Sequence, residues 1–134
     1  LNVALELIKH PNIEVILLGG MLRKSSSSVT GPYAQNILND FFCFKLFLGV
    51  DGIDLDLGLT TTSSMEAQLN RQMIAVSHKI IVLTDSTKFG KRGFGRICSL
   101  EEIDQIITDS GIPEHYKKTL ESMGIEITII EDVK

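Results

Sequence analysis

Cysteine, histidine and positive charge are all scarce in this 134-residue sequence, and each shortage argues against a class of function. The two cysteines, Cys43 and Cys98, sit in apolar surroundings without Cys-x-x-Cys spacing. They read as reduced core residues of a cytoplasmic protein. The three histidines, His10, His78 and His115, are far apart and lack metal-ligand spacing, so no metal and no other cofactor is expected. Lysine and arginine total 13 against 17 acids, a formal net charge of −4. Gripping DNA or RNA needs a basic face, so this chain alone is not expected to bind nucleic acid, although a basic partner domain remains open. No apolar run approaches the ~18 residues of a membrane helix, and no signal-peptide pattern is visible. There is no Gly-x-Ser-x-Gly elbow, no Walker loop and no Gly-x-Gly-x-x-Gly fingerprint. What remains is ordinary globular composition, 43% hydrophobic and 22% charged, in a length that suits one domain.

The stretch over residues 48–68 carries the most chemistry. A buried strand is expected over 46–50, then a turn-rich acidic loop opened by Asp51-Gly52. Five hydroxyl residues, from Thr60 to Ser64, precede a helix that is expected to bury Met65, Leu69, Met73 and Val76. In an open α/β sheet, ligands bind where a strand's carboxyl end leads into a helix. Asp51 and Asp54 could accept from the hydroxyls of a polyol, and Thr60 and Thr61 could donate and accept. A plainer reading stands beside this one. Asp-Gly is often only a turn, and Ser63 with Glu66 makes a capping box that stabilises by roughly 1 kcal/mol without any ligand.

The rest of the chain alternates helix and strand. A helix is expected over 1–9, a doubly covered strand over 13–18, a helix opened by Gly31-Pro32, and strands over 79–84, 105–108 and 125–130. A short edge strand over 93–98, a helical turn over 100–103 and a helix over 113–123 complete the reading. Gly19, Gly20 and Arg23 could hold an anion, or they could belong to a surface loop running into four serines. The loop over 85–91 bears Asp85, two hydroxyls and two lysines. Lys88 could offset a phosphate there, or Asp85 could simply cap a turn. The chain opens inside an apparent helix, without a capping residue, so a fragment is expected. The alternation predicts an α/β fold, a mostly parallel sheet with helices on both faces.

Several phrases, in order, resemble one family. They are Leu17-Leu18-Gly19-Gly20-Met21-Leu22-Arg23, Gly31-Pro32-Tyr33-Ala34, Phe47-Leu48-Gly49-Val50-Asp51-Gly52-Ile53-Asp54, Gly58-Leu59-Thr60-Thr61 with Glu66, Asp85-Ser86-Thr87-Lys88-Phe89-Gly90, and Ile107-Thr108-Asp109. Together they resemble the C-terminal sensor domain of DeoR-family bacterial transcription regulators. The resemblance implies a fold similar to ribose-5-phosphate isomerase and glucosamine-6-phosphate deaminase. It also implies a phosphorylated sugar or related metabolite as effector, and operator DNA as partner through an N-terminal winged helix-turn-helix that this chain lacks. The family's first strand-loop-helix, with its Gly-Thr-Thr phosphate loop, is also absent, so the sensor is expected to be partial.

The resemblance to the isomerase raises catalysis as an alternative. That reaction needs a base to move a proton between neighbouring carbons and a cation to steady the enediolate. The isomerase has a lysine shortly after its Asp-Gly-Ala-Asp phrase and a glutamate in the next helix. Here no lysine lies between Asp54 and Arg71, and hydroxyls replace the glycines. Binding without turnover is therefore expected. The expected ligand set is Asp51, Gly52, Asp54, Thr60, Thr61, Glu66 and Lys88, with Gly19, Gly20 and Arg23 as anion neighbours and no catalytic residue. The phenylalanines from Phe41 to Phe47 could be core or the interface of a homo-oligomer, and no membrane partner is expected.

Overall fold

Residues 1–131 are described in a computed structural model, and they divide into two units at Phe41. The first, Leu1–Phe41, holds helix α1 (Asn2–Leu7), strands β1 (Met21–Arg23) and β2 (Ser28–Thr30), and helix α2 (Pro32–Leu38). The serines expected in an open polar loop instead close a hairpin. β1 and β2 pair antiparallel, with Arg23 opposite Ser28, and Ser27 takes the left-handed conformation (φ 50°) in the turn. The strand expected over 13–18 does not form. Its apolar composition suits a strand, but a strand exists only through a ladder partner, and none of the described residues pairs with it. Ile16 and Leu17 are each 61% exposed. α2 begins as expected, with Pro32 in its first turn after Gly31. Ala34 and Leu38 are buried, whereas Ile37 and Phe41 stay exposed.

The second unit begins at Phe42 and carries the sheet. Its elements are β3 (Cys43–Gly49), β4 (Gly52–Asp54), β5 (Gly58–Thr61), α3 (Ser64–Ala75), β6 (Ser77–Leu83) and a 3-10 turn at Ser86–Lys88. There follow β7 (Gly95–Cys98), a 3-10 turn at Leu100–Glu102, β8 (Gln105–Asp109), α4 (Glu114–Ser122) and β9 (Glu126–Ile130). β3, β6, β8 and β9 form a four-stranded parallel sheet in that order. The stretch over 51–60, expected as loop, contains the hairpin of β4 and β5. With β7 it makes a separate antiparallel sheet in the order β4-β5-β7. Asp54 closes the hairpin turn by accepting from the backbone N–H groups of Asp56 (3.0 Å) and Leu57 (2.9 Å).

α3 packs against β5 and β7 and against β3 and β6 of the parallel sheet, and α4 packs on β9. Of the expected face of α3, Leu69 is buried and Met73 packs half-buried against the core, but Met65 is exposed; Ala67, Asn70 and Ile74 complete the buried face. Glycine at position 95 lets Ala67 pack close against β7, since a Cβ there would lie 3.0 Å from the Cβ of Ala67. The core joins the two sheets through Ile53, Leu59, Val82, Ile106 and Leu120. Ile106 is wholly buried in β8, between β6 and β9. Ile106→Ala should therefore cost about 2–5 kcal/mol of stability, read as a lower urea midpoint at unchanged slope.

Candidate functional site

Parallel register brings three loops to one edge. Gly49 of β3 pairs with Leu83 of β6, and Leu83 pairs with Ile107 of β8. Two residues beyond each member of that rung stands an aspartate: Asp51, Asp85 and Asp109. The two polar loops expected at a common carboxyl edge do lie there, and the end of β8 joins them.

Asp51 reaches the start of α3. Its backbone N–H donates to the Thr60 carbonyl (3.0 Å), extending the β4–β5 ladder by one bond. Its Oδ2 accepts from the Thr61 hydroxyl (2.8 Å) and the Thr62 backbone N–H (3.0 Å). The Thr61 Oγ1 also lies 3.1 Å from Glu66 Oε2. A hydroxyl has one proton to give, so Thr61 stands between two carboxylates and cannot donate to both at once. Ser63 caps α3 as expected, accepting from the Glu66 N–H (3.4 Å). Glu66 directs its carboxylate to Thr61. Burial of Asp51 opposes its ionisation, but the Thr61 and Thr62 hydrogen bonds and the Lys88 charge outweigh it, and its pKa falls below the usual value.

The loop after β6 supplies the cation. Asp85 caps the Ser86–Lys88 turn, accepting from the Thr87 N–H (2.9 Å) and the Thr87 hydroxyl. The Thr87 hydroxyl chiefly lowers the Asp85 pKa, burial opposes it, and the Thr87 N–H and Lys88 assist. Asp85 thus caps the turn, and the Lys88 charge favours ionisation of both Asp85 and Asp51. The loop then crosses β4. Gly90 N–H donates to the Ile53 carbonyl (2.8 Å), and Gly93 N–H donates to Thr60 Oγ1 (2.8 Å). Gly52 lies beneath this crossing, where an added Cβ would overlap the Lys91 carbonyl and come within 2.6 Å of Thr60 Oγ1.

Asp51, Thr61 and Glu66 thus meet directly, with Lys88 acting on Asp51 through its charge. Gly52 and Thr60 hold the backbone around them, Thr60 also donating weakly to the Gly52 carbonyl (3.4 Å). Asp54 is engaged elsewhere. Its Oδ1 is spent on the hairpin turn and its Oδ2 accepts from Arg92 Nε (2.7 Å), with a side chain only 8% exposed. Three hydrogen bonds reach its two oxygens, so Asp54 closes a turn and holds Arg92. Hydrogen bonding from Arg92 chiefly lowers its pKa. Sequence reasoning missed Arg92 because no local spacing links it to Asp54, 38 residues earlier. Gly19, Gly20 and Arg23 belong to the first unit. Two adjoining cavities of about 310 and 160 Å³ open between α3 and β7, lined by Arg71, Arg96, Ile97, Cys98 and Glu102 among others. Neither is lined by any expected site residue. Arg71 donates to the Arg96 carbonyl and Arg96 to the Leu57 carbonyl, so both guanidinium groups fasten backbone. Among the described residues no group of three or more His, Cys, Asp or Glu could hold a metal ion, and no helix is long and apolar enough to cross a membrane.

Residues 1–110 match the family model described as the DeoR C terminal sensor domain. The chain belongs to that family. It is 40% identical over 130 residues to a protein of Escherichia coli O157:H7 provisionally named an aga operon transcriptional repressor, covering 97% of this chain and 48% of that protein. It is 35% identical over 130 residues to the HTH-type transcriptional regulator YulB of Bacillus subtilis, covering 97% of this chain and 50% of that protein. It is also 35% identical over 132 residues to the HTH-type transcriptional regulator GlpR of Haloferax volcanii, covering 98% and 51%. The chain spans about half the length of these curated relatives. The family makes it a sensor domain of transcriptional regulators rather than an enzyme.

The three strand-end aspartates carry a pH signature. Hydrogen bonds hold the pKa of each below the ordinary 3.8, Asp109 chiefly through the Ser86 N–H and side chain. A folded pKa below the unfolded one contributes stability that is present above the unfolded value and lost as pH falls through the folded value. Resistance to urea should hold between about pH 7 and 5 and decline below about pH 4. In a chain carrying Asp51→Asn, Asp85→Asn and Asp109→Asn together, that acid decline should shrink.

Proposed function

We propose that this domain senses a phosphorylated sugar or related metabolite and thereby modulates operator binding by a winged helix-turn-helix N-terminal to it in the same protein. The observation that carries the reading is the convergence of an acceptor-rich pair, Asp51 and Glu66, with one lysine at the carboxyl edge of a parallel sheet. Polyol hydroxyls need acceptors, and a phosphate needs a cation; this edge offers both. Asp51 and Glu66 would take sugar hydroxyls, Thr61 would orient them, and Lys88 would meet the phosphate. Gly52 and Thr60 would hold the frame, and Asp54 would act through Arg92 and the hairpin turn. The relatives' names, a repressor and two regulators, fit an effector-controlled DNA binder. Regulation requires that the effector bind one conformation better than another.

Calorimetric titration of the full-length protein with ribose-5-phosphate, glucose-6-phosphate and glucosamine-6-phosphate tests the reading. Saturable binding without turnover is expected. Lys88→Ala and Asp51→Ala should each weaken it at least tenfold, about 1.4 kcal/mol, while Lys118→Ala, at an exposed lysine of α4 paired with Glu114, should not. Unchanged affinity in both site variants would remove the assignment.

A second role has its own observation. β3 is an edge of the parallel sheet, and Phe42, Phe44 and Phe47 are largely exposed along it, Phe44 by 78%. An apolar edge strand invites pairing, which favours self-association. Light scattering over a concentration series should show a homo-oligomer; a strict monomer would end that reading.

A further inference from the structure

The phrase Ile107-Thr108-Asp109 has no place in the effector cluster, yet its aspartate makes a close contact between two of the strand-end loops. Asp109 Oδ2 accepts from the Ser86 backbone N–H at 2.7 Å, and its Oδ1 accepts from the Gly111 N–H at 2.8 Å. Ser86 is the first residue of the turn that ends in Lys88. The bond spans 23 residues and joins the end of β8 to the loop after β6. Gly111 is shaped to the same contact: an added Cβ would overlap Ser86 Oγ and lie 2.9 Å from Asp109 Oδ1. On its other side the loop is held by Ile53, which accepts from the Gly90 N–H and forms a parallel bridge with Phe89. The segment from Ser86 to Gly90 is therefore clamped at both ends, and Lys88 lies between the clamps.

We propose that Asp109 is a positioning residue for Lys88, which it holds at the effector's phosphate by fixing Ser86. This rests on the reading of the cluster as an effector site. The chemistry of the clamp is specific to a carboxylate. Asp109 faces two N–H donors, and an ionised carboxylate offers an acceptor oxygen to each. An asparagine would turn its NH2 toward one of them and lose that bond. The turn would then no longer have its first residue held against β8, and the lysine would sample orientations away from the site.

A double-mutant cycle tests this, with the full-length protein and whichever of ribose-5-phosphate, glucose-6-phosphate and glucosamine-6-phosphate binds it. Lys88→Ala and Asp109→Asn should each weaken binding about tenfold, and the double variant should be no weaker than Lys88→Ala alone. Losses that multiply, or an Asp109→Asn variant that binds normally, would overturn the proposal while leaving the effector site in place. Gly111→Ala, which crowds Ser86 but keeps the carboxylate, should behave as Asp109→Asn does. If neither variant folds, Asp109 is a structural residue and the positioning role is overturned. If the unmodified protein binds none of the three sugar phosphates, the effector reading fails, and the role of Asp109 fails with it.

Discussion

Hydrogen-bonded register in a parallel sheet decides which loops meet, and the second unit of this chain depends on it. β3, β6 and β8 run the same way, and one rung joins Gly49, Leu83 and Ile107. Every residue at an equal offset beyond that rung emerges at the same edge. Asp51, Asp85 and Asp109 share such an offset, although 24 to 34 residues separate each from the next. A slip in the pairing of β3 with β6 would move Asp51 away from Lys88. The buried Leu48 and Val82, paired one step before the rung, resist such a slip because it would turn apolar side chains out of the core.

Each aspartate does its local work with backbone N–H groups. Asp51 accepts at the start of α3, Asp85 within its own turn, and Asp109 across to the neighbouring loop. The start of a helix favours negative charge, and here Asp51 and Glu66 already supply it. An effector phosphate placed at that helix start would meet two carboxylates. Under the proposed reading, the phosphate would therefore lie toward Lys88 and the hydroxyl-bearing end toward Asp51. The antiparallel sheet has a supporting part. Gly52, Thr60 and Gly93 let the loop carrying Lys88 lie close across β4, where any side chain at position 52 would lift it.

Much of the fold was legible because its signals are local. Continuous apolar runs marked the strands that became β3, β6 and β8, and Pro32 and Ser63 marked helix starts. Several expectations were lost to tertiary context, those over 13–18 and 51–60 among them. The run over 13–18 has the composition of a strand but no ladder partner among the described residues. The stretch over 51–60 has the composition of a loop, yet β7 offers β5 an edge and the hairpin forms. The family phrases named most residues of the candidate cluster. They could not show that Asp54 turns to Arg92, or that Ser86 and Asp109 meet.

Taken alone, the chain determined its class of elements, its acidic balance, the aspartates that follow its apolar runs and the two lysines of the loop over 85–91. Those follow from residue type and short spacing, which physical chemistry reads within a few residues. Only the tertiary structure decided that Asp51, Thr61 and Glu66 converge while Asp54 does not, and that Asp109 grips the turn bearing Lys88. The physical reason is that hydrogen bonds between side chains and backbone across 10 to 38 residues depend on register and crossing, and neither is encoded in local spacing.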